Sequence, residues 1–249
     1  MKNIIFERQF KLRYFEMSQF GEASPVTMLT MLEETAADHC QSINYGLYDL
    51  LREKIGWVLL SGYMQIDRYP VYGEKVTVRT WLSKYKGIRG YRENLIFDDR
   101  RKIIGRARGL WLFFDINRRR PIKIYNDIRE KWSCNPEKSI DYDIHQKIKA
   151  VEEIKYRKKF MVRLFDMDSN RHVNNIKYLE WLLETIPAGI LKDYYMYSID
   201  GRFIRETAYG HTIESLTGHG ETDNVFTHTI KDLDGGYVCV TAKTIWVKK

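Results

Sequence analysis

Arg13-Tyr14-Phe15-Glu16-Met17 stands near the beginning of the chain, and Arg163-Leu164-Phe165-Asp166-Met167 stands 150 positions later. The same ungapped shift sets Val26 on Ile176, Leu29 on Leu179, and Leu32-x-Glu34-Thr35 on Leu182-x-Glu184-Thr185. Further along, Arg68, Tyr72 and Gly73 fall on Arg205, Tyr209 and Gly210 at a shift of 137, while Ala107 and Trp111 fall on Ala242 and Trp246 at 135. Self-similarity carried through a chain marks one structural unit written twice. The falling shift predicts shorter loops in the second copy.

Outward from that motif, each copy carries the same order of signals. Ser24-Pro25 is a helix N-cap followed by Pro at the first helical position, and it predicts a helix to about Cys40. Val26, Leu29, Leu32, Ala36 and Cys40 recur every three or four positions, so they are expected to form the buried face. A strand is expected near Ile4 to Tyr14. Others follow at Trp57 to Arg68, Lys75 to Ser83, Tyr91 to Phe97 and Gly105 to Asp115, with Asp98 to Arg101 as a hairpin tip. In the second copy a strand near Lys159 to Phe165 precedes a helix from about Val173 to Thr185, ended by Pro187. Strands near Ser198 to Glu206, His211 to Gly218, Val225 to Lys231 and Tyr237 to Val247 follow, and Asp234-Gly235-Gly236 turns the last hairpin. The expected class is α+β, with an N-terminal domain over 1–130, a polar linker over 131–152 and a C-terminal domain over 153–249.

With 249 residues, 44% hydrophobic, and only 5 Pro and 16 Gly, the chain can bury a core and is neither collagen-like nor disordered. Its longest apolar runs, such as Leu110 to Phe114, are far short of the roughly 20 residues that span a bilayer, so no membrane span is expected. Glu7 and Arg8 interrupt the N-terminus before any apolar stretch long enough for a signal peptide, which makes a cytoplasmic location the expectation. Cys40, Cys134 and Cys239 form no CxxC pair and have no histidine at ligand spacing, so neither a disulfide framework nor a metal site is expected. Forty-one Lys and Arg against 33 Asp and Glu give a net charge of +8, which calls for an acidic partner: nucleic acid, an anionic surface or an acidic protein.

Setting one copy on the other separates what the fold needs from what was added. At the shift of 150, Asp168 replaces Ser18, Asn170 replaces Phe20 and His172 replaces Glu22. An acid, an amide and an imidazole thus occupy alternate positions before a helix in one copy only. In an extended turn all three would point the same way, beside a helix start whose free N–H groups suit a developing oxyanion. Glu206 falls on Tyr69, so it too belongs to the second copy alone. Asp168 and Asn170 would also serve as helix caps, and Glu206 as a strand carboxylate beside Arg205. The four together point to one active site per duplicated chain.

Asp168-x-Asn170-x-His172-Val173-Asn174-Asn175-x-x-Tyr178 resembles the signature of the acyl-ACP thioesterases of plants and bacteria, which are tandem hotdog-fold proteins. Leu32-x-Glu34-Thr35-Ala36, Asp67-Arg68-Tyr69-Pro70 continuing to Gly73-Glu74-x-Val76, and Phe203-x-Arg205-Glu206 are similar to other segments of that family, so the likeness runs from about Phe6 to Trp246. Plant members carry a transit peptide and an N-terminal extension; with neither present, the chain is similar to a bacterial member. The resemblance implies two hotdog domains, each a long helix wrapped by an antiparallel sheet, joined as an intrachain pseudo-dimer. It implies hydrolysis of fatty acyl-ACP without a cofactor, with Asp168, Asn170, His172 and Glu206 as the catalytic set. Either Glu206 or Asp168 would activate water while the other orients His172. Plant members often place Cys after that Glu; here Thr207 stands there, which argues against a cysteine nucleophile.

The resemblance further implies that the first copy houses the acyl chain, with Met28, Leu32, Trp57, Leu59 and Met64 as candidate tunnel residues. Acyl carrier protein is acidic, and Arg100-Arg101-Lys102 and Arg118-Arg119-Arg120 are candidate docking clusters. Lys123, Lys155 and Arg157-Lys158-Lys159 add to them. Two rival readings are an acyl-CoA thioesterase of the same superfamily and a basic nucleic-acid-binding protein. The bases lie at turns and no nucleic-acid motif occurs, so no nucleic-acid partner is expected. A homodimer stays open, since two hotdogs in one chain can also satisfy each other.

Overall fold

The structure, a computed structural model, describes residues 4–169 and 172–249. The chain divides into two compact units, Met1–Ile144 and His145–Lys249.

The first unit runs β1 (Ile5–Lys11), α1 (Pro25–Gln41), α2 (Leu47–Glu53), β2 (Ile55–Ile66), β3 (Lys75–Lys86), β4 (Arg89–Phe97), β5 (Ile103–Asp115), a two-residue β6 (Arg120–Pro121) and α3 (Asn126–Lys131). Its strands are antiparallel in the order β1-β3-β4-β5-β2, with β6 on β5. The N-cap of α1 is as expected: Ser24 is extended and its hydroxyl accepts the Thr27 N–H at 3.0 Å, a contact worth about 1 kcal/mol. The buried face is rotated from the expected one. Met28, Met31, Leu32, Thr35, His39 and Cys40 are buried, whereas Val26, Leu29 and Ala36 are only partly so. The polar members of that face are satisfied internally, which the apolar periodicity could not register. Thr35 Oγ1 donates to the Met31 carbonyl (2.7 Å), and His39 Nε2 accepts the Trp132 indole N–H (2.8 Å).

The second unit repeats the plan: β7 (Tyr156–Met161), α4 (Asn175–Leu183), α5 (Ala188–Asp193), β8 (Tyr194–Phe203), β9 (Thr212–His219), β10 (Val225–Asp232) and β11 (Tyr237–Lys248). Its strand order, β7-β9-β10-β11-β8, is that of the first unit. The copies share individual main-chain bonds. Gly73 donates to Leu12 O as Gly210 does to Val162 O, both at 3.0 Å, and the Asp67 and Arg68 N–H groups converge on Ile104 O as those of Ile204 and Arg205 do on Cys239 O. The falling shift has a different main cause from the one expected. α4 has 9 residues against 17 in α1, so the helix itself is shorter. It stops at Leu183, before the expected Thr185, because Ile186 precedes Pro187 and is biased out of the helical region. Pro187 then caps α5. That helix, like α2 and α3, is too short to show a period.

The stretch expected to link the halves is laid against both units. Trp132 and Ile144 are buried in the first unit, Tyr142 stacks on Tyr63 at 3.8 Å, and Ser139 donates to buried Glu93. Beyond Ile144, the Val151 N–H donates to Thr229 Oγ1 and that of Lys155 to Thr217 O, both within the second unit.

The core of the second unit holds a polar chain. Thr185 Oγ1 lies 2.6 Å from Thr217 Oγ1, and the His228 ring bridges Thr217 and Thr244 at 2.8 Å each. Complete burial pushes the His228 imidazole down to about 3. The unfolded chain therefore takes up a proton below about pH 6.5 that the folded chain refuses until about pH 3, and stability is lost as pH falls across that window. The cost reaches on the order of 4 kcal/mol at the lower end. In urea unfolding, the midpoint of the native protein should drop steadily from pH 6.5 to pH 4, and His228→Gln should flatten that decline. An equally steep decline in the variant would contradict the assignment.

Candidate active site

The site is built on the motif that opened the sequence reading. Asp166 accepts the Arg163 N–H at 2.7 Å and pairs with its guanidinium at 3.0 Å, while its carbonyl receives the Asn174 N–H. Glu16 does the same for Arg13 and Ser24 in the first unit. Between these anchors the chain makes a closed turn. Met167 bridges Val173, and the Asp168 N–H donates to the His172 carbonyl at 2.7 Å. Its counterpart is Met17 bridging Ala23, with the Ser18 N–H on the Glu22 carbonyl, again at 2.7 Å.

A closed turn differs from the extended one in which Asp168, Asn170 and His172 would align by alternation. Asp168 Oδ1 accepts the His172 main-chain N–H at 3.0 Å, so this carboxylate helps shape the turn. The imidazole reaches elsewhere: His172 Nδ1 lies 3.3 Å from Glu206 Oε2, with the side chains 25% and 34% exposed, accessible but held. Asn170 lies outside the described residues. At the start of α4, the Asn174 side chain accepts the Ile176 N–H at 2.9 Å, so one of the expected oxyanion donors is already used.

Glu206 sits on the irregular segment 204–211 between β8 and β9. Its carbonyl accepts the Tyr237 hydroxyl (2.9 Å). Thr207, 3% exposed, donates its N–H to the Tyr178 hydroxyl (3.2 Å) and its hydroxyl to Asp232 Oδ2 (2.6 Å). His211 Nδ1 lies 2.8 Å from the same oxygen. Burial works to raise the Asp232 carboxyl, but hydrogen bonds from Thr207, His211, the Gly235 N–H and Tyr237 outweigh it and hold the group at about 2. Asp232, His211 and Tyr237 escaped the sequence reading. The comparison that found Glu206 reaches His211, which falls on Glu74 at the shift of 137, but not Asp232, whose counterpart by strand register is another aspartate, Asp98.

Burial raises all three thiols, that of Cys239 to about 12, which leaves no thiolate nucleophile among them. Among the described residues, Glu74, Asp98 and Asp99 lie close enough to share a cation, but the Arg68 guanidinium already occupies Glu74 and Asp98. The candidate tunnel residues Met28 and Leu32 are buried on α1 and Leu59 and Met64 on β2, while Trp57 is half-buried against Phe113. The basic residues Arg100, Arg101, Lys102, Arg118, Arg119 and Arg120 are all exposed. Among them, Arg101 pairs with Glu7 at 2.9 Å, and Arg118 lies 3.8 Å from Asp115.

Two tandem α+β units of one plan, each with a helix against a five-strand antiparallel sheet, define a double hotdog. The acyl-ACP thioesterase N-terminal domain model matches residues 3–132 and the acyl-ACP thioesterase C-terminal domain model matches residues 148–248. The chain belongs to the acyl-ACP thioesterase family. It is 29% identical over 265 residues to a chloroplastic palmitoyl-acyl carrier protein thioesterase of Cuphea hookeriana, covering 99% of this chain and 63% of that relative's length. Two solved structures share the fold. The 12:0-ACP thioesterase from Umbellularia californica superposes with a TM-score of 0.89 at 23% identity, covering 100% of this chain and 99% of that one. An acyl-ACP thioesterase from Bacteroides thetaiotaomicron gives 0.87 at 23% identity, covering 98% of both chains. No helix among the described residues is long and apolar enough to cross a membrane.

Proposed function

We propose that the protein hydrolyses the thioester of a fatty acyl chain carried on acyl carrier protein, releasing the free acid and the carrier thiol. The observation that carries this reading is the contact of His172 Nδ1 with Glu206 Oε2 at 3.3 Å, in the one unit that has both residues. Family membership, through models that match both halves, supports a carrier-protein substrate over a CoA ester or nucleic acid.

In the proposed mechanism Glu206 takes a proton from the attacking water as the oxygen bonds to the thioester carbon. Asn170 and main-chain N–H groups at the start of α4 are the expected donors to the oxyanion. When the carbon–sulfur bond breaks, His172 protonates the leaving thiolate, and the proton on Glu206 returns to the imidazole. Asp168 holds the turn that presents His172. Of the two carboxylates, Glu206 suits the task of activating water, because it is the one beside the ring.

The N-terminal unit is the proposed home of the acyl chain, along Met28, Leu32, Trp57, Leu59 and Met64. The clusters at 100–102 and 118–120 are the proposed dock for the acidic carrier. Three free thiols suit a reducing compartment, and a cytoplasmic location is part of the same reading.

His172→Ala and Glu206→Gln should each slow turnover of an acyl-ACP by about 100-fold or more, and Asp168→Ala should also impair it. Near-native turnover in all three variants would overturn the site. If docking is electrostatic, the apparent KM for acyl-ACP should rise steeply between about 0.05 and 0.5 M salt, as screening shortens the reach of the exposed arginines. A KM unchanged across that range would refute the docking surface.

A further inference from the structure

The side chain of Glu206 can meet His172 only if the irregular segment that carries it is held still. Neither helix nor strand holds it, and the tie comes from behind. Asp232, at the end of β10, has a side chain with no solvent exposure, and it receives the Thr207 hydroxyl at 2.6 Å, the Gly235 N–H at 2.7 Å and a contact from His211 Nδ1 at 2.8 Å. Thr207 is the residue directly after Glu206, and its own N–H is bound by Tyr178.

We propose that Asp232 is a positioning residue: by gripping Thr207 and His211 it fixes the segment that aims Glu206 at His172. This rests on the reading of Glu206 and His172 as the reacting pair. The first unit supplies the control. There the equivalent segment closes through the same main-chain bonds, from Asp67 and Arg68 to Ile104 and from Gly73 to Leu12; strand register sets buried Asp98 at the place of Asp232, accepting the Arg100 and Lys102 N–H groups of its own hairpin, with Pro70 in place of Thr207 and Glu74 in place of His211. The buried aspartate is thus common to both units, and what the second unit adds is its grip on Thr207 and His211. A threonine and a histidine as its partners occur only in the unit that carries Glu206 and His172. The same geometry gives position 207 its role: the hydroxyl turns toward Asp232, so this residue anchors the segment and takes no part in nucleophilic attack.

The test compares Asp232→Asn, Thr207→Val and Thr207→Ser with Glu206→Gln and His172→Ala, using the full chain and palmitoyl-ACP. Thr207→Val keeps the shape and removes the hydroxyl, so it stays decisive even where Asp232→Asn fails to fold, which thermal melting reports. Displacement of a reacting group by a fraction of an ångström to 1 Å should lower kcat about 10- to 100-fold in Asp232→Asn and Thr207→Val. KM should stay within about twofold, and Thr207→Ser should recover most of the rate. Unchanged kcat in Thr207→Val, or equal loss in Thr207→Ser, would overturn the positioning role while slow Glu206→Gln and His172→Ala enzymes leave the site standing. Full activity in Glu206→Gln and His172→Ala would overturn the site and the positioning role together.

Discussion

A main-chain hydrogen bond, from the N–H of residue 168 to the carbonyl of residue 172, closes the turn that carries Asp168 and His172. The same bond, 18 to 22, closes the same turn in the first unit at the same 2.7 Å. It is framed on one side by the Arg–carboxylate pair of 163 and 166, or 13 and 16, and on the other by the helix that follows. Because the closure common to both units uses backbone atoms, the residues at positions 168, 170 and 172 can differ from those of the first copy, and Asp168 adds its own bond to the His172 N–H. The first unit fills those positions with Ser18, Phe20 and Glu22, and folds the same way.

That freedom explains how a duplicated chain can divide its labour. The two sheets share strand order and individual turn bonds, yet their polar interiors differ. In the first unit buried Glu93 is met by Ser83, Ser139 and the Arg108 guanidinium, and His39 is held by Trp132; Ser139 and Trp132 thereby tie the segment after α3 to the sheet and to α1. In the second unit two polar sets stand out, buried Thr185-Thr217-His228-Thr244 through the core, and buried Asp232 and Thr207 with the partly exposed His211 behind Glu206. A buried polar group is tolerable only when its partners are in place, so each set confers rigidity on one particular piece of chain. The second set grips the residue that follows Glu206.

Most of the fold was legible because it rests on periods and punctuation. Ser24-Pro25 set the start of α1, and alternating strands with Asp234-Gly235-Gly236 set the last hairpin. The misplaced details have local physical causes that apolar spacing does not register. The buried face of α1 turns toward Thr35 and His39 because a threonine can bond its own helix and a histidine can accept from Trp132. The end of α4 was overrun because the bias of Ile186 away from helix, one residue before Pro187, outweighs the apolar spacing.

By itself the sequence determined the duplication, the α+β class, and the short set of polar residues present in only one copy, since all three follow from order along the chain. Tertiary structure decided how that set meets. Asp168 and His172 face each other across a closed turn through backbone, while Glu206, over thirty positions away in sequence, supplies the carboxylate at the imidazole. It also decided that Thr207 looks toward Asp232. Distances between residues on different strands depend on how the sheet brings its loops together, and spacing along one strand of sequence carries no such information.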